Sequence, residues 1–543
     1  MSLEEPISPN DVFNAIKNKF SNIIKESEIV DDKHLIQFKI DGKHIVSFAT
    51  FLKDEMHFIY PLHITAVDYP EDNELEMVYH FVKVNMPYLV RVKFRVPRDN
   101  PSVDSIAKVW PAANWFERET YDMFGVKFRG HPDLRRILLP QDWVGHPLRK
   151  DYKMDEDYHW EKQVKEYYNP YEEKGWLGVP VSDTEMIIQI GPQHPTLHGT
   201  WKLVIKVDGD TIVDAWPDIG FIHRGIEKLA EQKRYEQILP MTDRLCYATS
   251  MEGNVLYIQL IEKLMGIEVP LRAQYIRTIA LELQRITSHL LWLGAYMGDL
   301  GTYHAMFLYP LREREYLLDL FEMLTGARLT YTYPRLGGVK ADIPDGWLEK
   351  VKKTLDHIEK HLPEYHDMTI SNEAFVMRTK GVGVLPKEVA AKVGARGPVL
   401  RASGIKHDTR KTEPYLIYGD LDFEIPTCKD GDCFCRYLVR VEEIMQSINI
   451  VRQAIEKIPS GEYRAKARAK AVEGEASARI EASRGEYLMY VVGRKKIQPY
   501  RLAIESPAYM NISTVPYMLR GARYADLAAI VGSIDVCMAE VDR

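Results

Sequence analysis

Residues 186–216 read MIIQIGPQHPTLHGTWKLVIKVDGDTIVDAW. Three runs alternate apolar and polar residues (MIIQI, WKLVIKV and TIVDAW) and predict three strands. The Asp208-Gly209 pair between the last two supplies the positive φ angles that a two-residue hairpin turn needs. From about Ile226 the period changes. Leu271–Leu300, Leu308–Thr325 and Tyr437–Ile458 carry apolar residues at i, i+3 and i+4, the spacing of packed helices. Tyr463–Arg479, rich in Ala, Lys, Arg and Glu, reads as an exposed charged helix or loop. GEYLMYVVG and QPYRLAIES return to strand character before a C-terminal helix that ends at Arg543. Strands first and long helices after them predict an α+β unit that is mainly helical.

Upstream, residues 1–155 predict a smaller α+β domain. A helix is expected over Asp11–Ile24, and strands at HLIQFKI, KHIVSFAT, MHFIYPLHITAVDYP and LVRVKFRV. From Asp151 to Asp183 the chain is dense in charged and aromatic residues, with Pro170 and Pro180 and no sustained period. Residues 156–183 are therefore expected to link the first domain to a second, 184–543. The full length of 543 residues exceeds one ordinary core. A net charge of -7 argues against a nucleic-acid partner. The N-terminus lacks the basic and apolar regions of a secretion signal, so a cytoplasmic location is expected. Leu290–Gly298, the most apolar helical stretch, falls short of the ~20 residues of a membrane span, and Arg285 and His289 precede it. Attachment to a membrane would have to come through partners.

Some residues could carry chemistry. In GPQHPTLHG, Gly191–Gly199, His194 and His198 stand four apart, but Pro192 and Pro195 forbid the regular helix that metal ligation at that spacing needs. A turn histidine can exchange a proton near neutral pH; local spacing alone favours simple hydrogen bonds to the turn. Tyr247, beside Cys246 in a segment read as helical, is either core or a polar tip facing a cavity. Asp299 at the end of a long apolar helix is either a surface group or half of a functional pair. The five cysteines form no evident disulfide framework, and free thiols are expected. Cys428, Cys433 and Cys435 have metal-knuckle spacing but no second ligand cluster, and are read as an ordinary loop entering a helix.

The block ERETYDMFGVKFRGHPDLRRILLPQDWVGHPLRKDY, Glu117–Tyr152, resembles the C subunit of the complex I family of NADH-quinone oxidoreductases. From Ile190 onward GPQHPTLHG, HRGIEKL, DRLCY, ELQRITSH, GDLG, RLGGV, LRASGIKHDTRKTEPY, GDCFCRYLVRVEE and the terminal EVDR resemble the D subunit of that family, in the same order. The resemblance implies a fused C/D subunit whose second part shares the fold of nickel-iron hydrogenase large subunits. It implies quinone as substrate, bound by His198 and Tyr247, with Asp299 as partner of His198. It further implies Arg224 near the terminal [4Fe-4S] cluster of a B-like partner, with I-like and H-like partners alongside. The expected setting is the cytoplasmic side of the cell membrane, in a proton-translocating complex, with no cofactor or metal held tightly by this chain.

Departures from the family pattern qualify this. Hydrogenases hold their metals with two C-x-x-C pairs; here those positions read Cys246-Tyr247-Ala248-Thr249 and Cys537-Met538-Ala539-Glu540. Two thiolates in place of four do not make that dinuclear centre. Cys246 replaces the acid of DRLDY, so Cys246 and Cys537 are either a relic, the reading preferred, or a redox pair. Thr330 stands where relatives with a pH-dependent cluster carry histidine, and VEGEASARIEASRGEYLMY is shorter than the corresponding region of the family's D subunits. The donor is thus NADH, reduced deazaflavin or ferredoxin. No Gly-rich turn follows a strand, so this chain is not expected to bind NADH. The alternatives are a large subunit of a membrane-bound hydrogenase or sulfur reductase, and a non-catalytic scaffold.

Overall fold

The structure, a computed structural model, describes residues 7–30, 34–153, 184–194, 197–301 and 304–543. The expected linker therefore lies outside the described residues. Ser8 caps helix α1, Pro9–Lys19, by accepting from the Asp11 amide at 3.1 Å. That helix ends before the expected Ile24, because Ile24 already pairs with Ile40 in a strand ladder. Strands β1 (Ile24–Val30), β2 (Leu35–Ile40), β3 (Tyr60–Tyr69), β4 (Glu74–Val82) and β5 (Leu89–Pro97) form one sheet ordered β1-β2-β5-β4-β3. The β2–β5 pair is parallel and the other pairs are antiparallel.

KHIVSFAT is not a strand. Helix α2, Ile45–Asp54, buries Ile45, Phe48, Ala49 and Leu52, a 3.6-residue stripe that becomes visible only when FLKD is read with it. Helix α3, Ala113–Phe124, ends at Gly125 with φ 79°. It is tied to β3 by Thr120 Oγ1 donating to the Ile64 carbonyl at 3.2 Å.

In the second half, β6 (Glu185–Ile190), β7 (Lys202–Asp208) and β8 (Thr211–Asp218) form the expected antiparallel sheet. Helices α4 (Tyr235–Thr242), α5 (Ser250–Met265), α6 (Leu271–Asp299), α7 (His304–Thr325), α8 (Trp347–Ile370) and α9 (Cys433–Lys457) follow. Helix α6 is buried along most of its length, and its charged groups are paired. Glu282 accepts from Tyr418 Oη at 2.6 Å, Ser447 Oγ at 2.7 Å and Arg410 Nη1 at 3.1 Å. His289 Nε2 lies 2.9 Å from Glu443 on α9. Removing one member of such a buried pair typically costs ~3–5 kcal/mol, so these contacts fix where the far end of α6 lies.

The segment Tyr463–Arg479 is neither an exposed helix nor wholly a loop. Its second half enters β9 (Val472–Ala482), which pairs with β10 (Gly485–Lys496) and through it with β11 (Arg501–Glu505). Arg464, Lys466, Arg468 and Lys470 in its first half are exposed, as expected of a charged face, whereas the charges within β9 are ion-paired. Arg479 is buried against Glu413 and Glu486, the latter at 2.6 Å, and Glu475 reaches Lys93 of β5 at 2.9 Å. Two further expectations change. Cys428 and Cys435 form a disulfide with Cα atoms 5.5 Å apart, because Asp432 caps α9 through the Cys435 amide and turns the chain back on itself. The C-terminus is a series of short helices, including α10 (Leu527–Gly532) and α11 (Met538–Asp542), in place of a single one.

One apolar core runs from Val12 of α1 and Phe38 of β2 to Leu203 of β7, Met510, Ile530 and Val541. No helix among the described residues is long and apolar enough to cross a membrane.

Candidate active site

The loop between β6 and β7 carries His198 at φ 50°, a left-handed conformation in which histidine is enriched among non-glycine residues. Its position is set from both sides. Trp201 Nε1 donates to the Leu197 carbonyl at 2.8 Å. A Cβ on Gly199 would lie 2.5 Å from Met538 Cγ, so the loop sits directly on the C-terminal segment. His194 is at the exposed tip of the loop, away from this packing.

His198 Nε2 shares a hydrogen bond with Asp299 Oδ2 at the end of α6. Asp299 is confined in turn: a Cβ on Gly532 would lie 3.0 Å from its Oδ2 and 3.0 Å from the Tyr296 ring. Trp292 stacks on Tyr296 and donates to the Gly532 carbonyl at 2.8 Å, binding α10 to this end of α6. Burial pulls the imidazole pKa down, but the hydrogen bond and charge of Asp299 outweigh it, and His198 is held above its ordinary value.

Tyr247 lies in the turn between α4 and α5, not in a helix. It is 56% exposed, so its ring borders the site and is not core. Burial of the hydroxyl's surroundings, then the nearby Cys537 and Cys246 sulfurs, raise its pKa.

Behind Tyr247, Cys246 and Cys537 are both buried, and with Glu540 they offer ligand atoms all within 4.8 Å of one another. Arg484, in the β9–β10 turn, donates to Cys246 Sγ at 3.2 Å and lies 3.6 Å from Glu540. Burial, then the Cys537 sulfur, pushes the Cys246 thiol well up, while the hydrogen bond from Cys246 lowers Cys537. Of the two sulfurs, Cys537 is thus the more acidic. Glu540 is pushed well up by burial and then by Cys246. Two sulfurs and a carboxyl can exchange protons or electrons; they fall short of the four thiolates of a nickel-iron centre.

Arg224 is exposed on the same side. Its guanidinium donates to the Arg244 and Ala539 carbonyls, each at 2.7 Å, and so clamps the DRLCY turn to α11. Arg484, Asp535, Gly532 and Glu540 all shape the site. Of these, only Glu540 is marked by motif spacing; Arg484 is 238 residues from Cys246 and meets it only in three dimensions.

Comparison with known proteins finds two family regions in the chain. Residues 38–158 match the family model of the respiratory-chain NADH dehydrogenase 30 Kd subunit. Residues 299–473 and 466–543 match that of the 49 Kd subunit. The chain is 39% identical to the NADH-quinone oxidoreductase C/D subunit of Acidiphilium cryptum, over 87% of this chain and 86% of that protein. It is 39% identical to the C/D subunit of Phocaeicola vulgatus over 91% and 96%. The D subunit of Geobacillus thermodenitrificans is 46% identical over 66% of this chain and 98% of its own length. A chain of the membrane-bound sulfane sulfur reductase, an archaeal respiratory membrane complex, superposes with TM-score 0.65 at 36% identity, covering 67% of this chain and all of that one. The 30 Kd and 49 Kd regions in one polypeptide, with relatives matched over nearly their whole length, mean that this chain belongs to the C/D-subunit family of NADH-quinone oxidoreductases.

Proposed function

We propose that a quinone headgroup is reduced between His198, with its partner Asp299, and Tyr247. The supporting observation is the His198–Asp299 pair: a histidine whose basicity is raised by a confined carboxylate, at the edge of a site that Tyr247 leaves open. Quinone taking up two electrons builds negative charge on both oxygens and needs two protons. An imidazolium and a phenol held in place stabilise that charge and supply protons. His198 donates readily near neutral pH and is restored through Asp299. Tyr247, with its raised pKa, acts mainly as a hydrogen-bond donor. A [4Fe-4S] cluster in a B-like partner near Arg224 would supply the electrons; I-like and H-like partners would place the chain on the cytoplasmic side of the membrane and couple the step to proton translocation. NADH, reduced deazaflavin or ferredoxin would be the upstream donor.

Measurement of donor-to-quinone and donor-to-artificial-acceptor rates in the whole complex tests this. His198→Ala and Tyr247→Phe should each slow the first by ~100-fold or more, the usual loss for one charge-stabilising donor, and spare the second. Equal loss in both, or in neither, removes these residues from a quinone site.

The juxtaposed Cys246 and Cys537 favour a second reading, a thiol pair that reduces a sulfur substrate, the activity named for the archaeal structural relative. Two thiols would give up two electrons and two protons to a sulfur–sulfur bond and close to a disulfide, to be reopened by electrons from the partner. Trapping of that disulfide on substrate addition would establish it. Nickel in the purified chain would instead indicate a hydrogenase, and normal turnover of every variant named here would leave a scaffold.

A further inference from the structure

Helix α8 carries His357 and His361 one turn apart, so both imidazoles leave the same face of a continuous helix. Their ring centroids are 4.5 Å apart. Facing them on α7 is Glu313, whose side chain is wholly buried. Its carboxylate is held at one oxygen: Tyr365 Oη donates to Oε1 at 2.5 Å and Arg312 Nη2 donates to it at 2.6 Å. Oε2 is left 2.8 Å from His357 Nε2. The two atoms are at hydrogen-bond distance but lack hydrogen-bond alignment, and neither has another hydrogen-bond partner among the described residues. A buried carboxylate oxygen left in this state, beside an equally unsatisfied imidazole nitrogen, calls for a ligand that accepts both lone pairs.

We propose that His357, His361 and Glu313 bind a divalent cation of the zinc type, which clips α7 to α8. Two imidazoles and a carboxylate suit zinc, and two histidines at i, i+4 with an acid from a second helix give three ligands and leave one position for water. With bonds of ~2.0–2.2 Å a tetrahedral centre spaces its ligand atoms by roughly 3.3–3.5 Å, so His357 Nε2 and Glu313 Oε2 need part only slightly. His361 turns in from the surface, where its Nδ1 meets Glu364 at 3.2 Å, an exposed contact worth little. Tyr365 and Arg312 act on Glu313 as outer-shell partners do: they fix the carboxylate and leave one oxygen for the metal. Arg312 sets a positive charge behind that carboxylate, but its side chain is 46% exposed and solvent screens its repulsion of the cation. The His357 ring is braced edge-on against Tyr316 at 5.2 Å. Both histidines are part-exposed, so the cation can enter from solvent.

Zinc binding to the full chain is measured by equilibrium dialysis, with Cys246 and Cys537 replaced by serine so that thiolates do not contribute. A single zinc per chain should bind. His357→Ala and His361→Ala should each weaken binding by ~10-fold or more, and Glu313→Gln likewise. Tyr365→Phe removes no ligand but frees Glu313 Oε1 from its hydroxyl, and should weaken binding by ~10-fold, the lower end of the usual outer-shell effect. His366→Ala is the control: it lies on the same helix but is hydrogen-bonded to Tyr437 at 3.0 Å, and it should bind zinc as the parent does. Zinc should also raise the melting temperature of the parent and leave that of His357→Ala in place. No binding at micromolar zinc, or unweakened binding in both His357→Ala and His361→Ala, makes the His357–Glu313 contact an ordinary ion pair and overturns the proposal. Equal weakening in His366→Ala also overturns it, since that marks diffuse binding by surface histidines. If the buried Glu313→Gln variant does not fold, the two histidine variants, at part-exposed positions, decide alone.

Discussion

Asp299→Asn removes a charge and little else. The amide is isosteric, still fits against Gly532 and Tyr296, and can keep a hydrogen bond to His198 Nε2. What changes is the balance at the imidazole. Burial lowers the His198 pKa from its reference of 6.5 and the Asp299 hydrogen bond and charge raise it, with a net upward shift. With the carboxylate gone, burial is no longer outweighed by its hydrogen bond and charge, and the pKa should fall. An opposite charge in contact is worth ~1–3 pKa units, so the alkaline limb of quinone reduction should move toward acid by at least about one unit. Above both pKa values each unit is about a tenfold loss in the protonated fraction, or about 1.4 kcal/mol. Toward the acid end of the profile, where both proteins hold the proton, the rates should converge. Steady-state quinone reduction from about pH 5 to 9, spanning the ordinary histidine range, measures this with an artificial acceptor as control. Added to His198→Ala, the substitution should do little further harm, since the two side chains act as one unit. A profile lowered in height but unmoved in pH would refute this account, as would fully multiplicative losses.

Gly532→Ala places a methyl 3.0 Å from Asp299 Oδ2 and the Tyr296 ring; it should lower stability by ~1–3 kcal/mol, seen by thermal unfolding, and slow quinone reduction disproportionately by displacing Asp299. Joint replacement of Cys246 and Cys537 by serine should keep quinone reduction within a few-fold if the sulfurs are packing groups, and abolish turnover if they are a redox pair. Breaking the Cys428–Cys435 bridge, with its sequence separation of 7, should cost about 2 kcal/mol on the chain-entropy estimate. A dithiol reductant should then lower the melting temperature of the parent and leave Cys428→Ser unaffected. Burial raises the Glu475 carboxyl, but Arg91 and Lys93 outweigh it and hold the pKa at about 2. Its folded pKa is depressed, so the stability it contributes is present above the ordinary carboxylate pKa of 4.5 and is lost as pH falls toward 2. Glu475→Gln should flatten the acid unfolding curve across that window.

How far the sequence is legible depends on the distance over which each signal acts. The hairpin at 186–216 and helices α6, α7 and α9 are readable because their periods run through many residues. KHIVSFAT misleads because so short an alternation fits two templates, and the decision lies in the FLKD that follows. The second half of Tyr463–Arg479 misleads for another reason. A run of Arg, Lys and Glu is solvated when nothing covers it, but here Lys93 and Arg91 from the first sheet, far away in the chain, supply the partners that let β9 be buried. The site divides the same way. His198 and Asp299 are paired by family resemblance, and the hydrogen bond between them lies across 101 residues. Neither local spacing nor composition could have joined them. Asp535 and Arg484 carry no local signal of their pairing, since 51 residues separate them and they meet only in three dimensions. The left-handed backbone of Asp535, its unpartnered oxygen and the guanidinium shared with Cys246 exist only after the C-terminal segment has folded against the β9–β10 turn. Chain topology thus brings together the carboxylate that orients the imidazole with a second group, Cys246, Cys537 and Glu540, gathered beside Arg484. A change at either end of that arginine should therefore be felt at the other, and the quinone and sulfur readings of this site should be tested on the same variants.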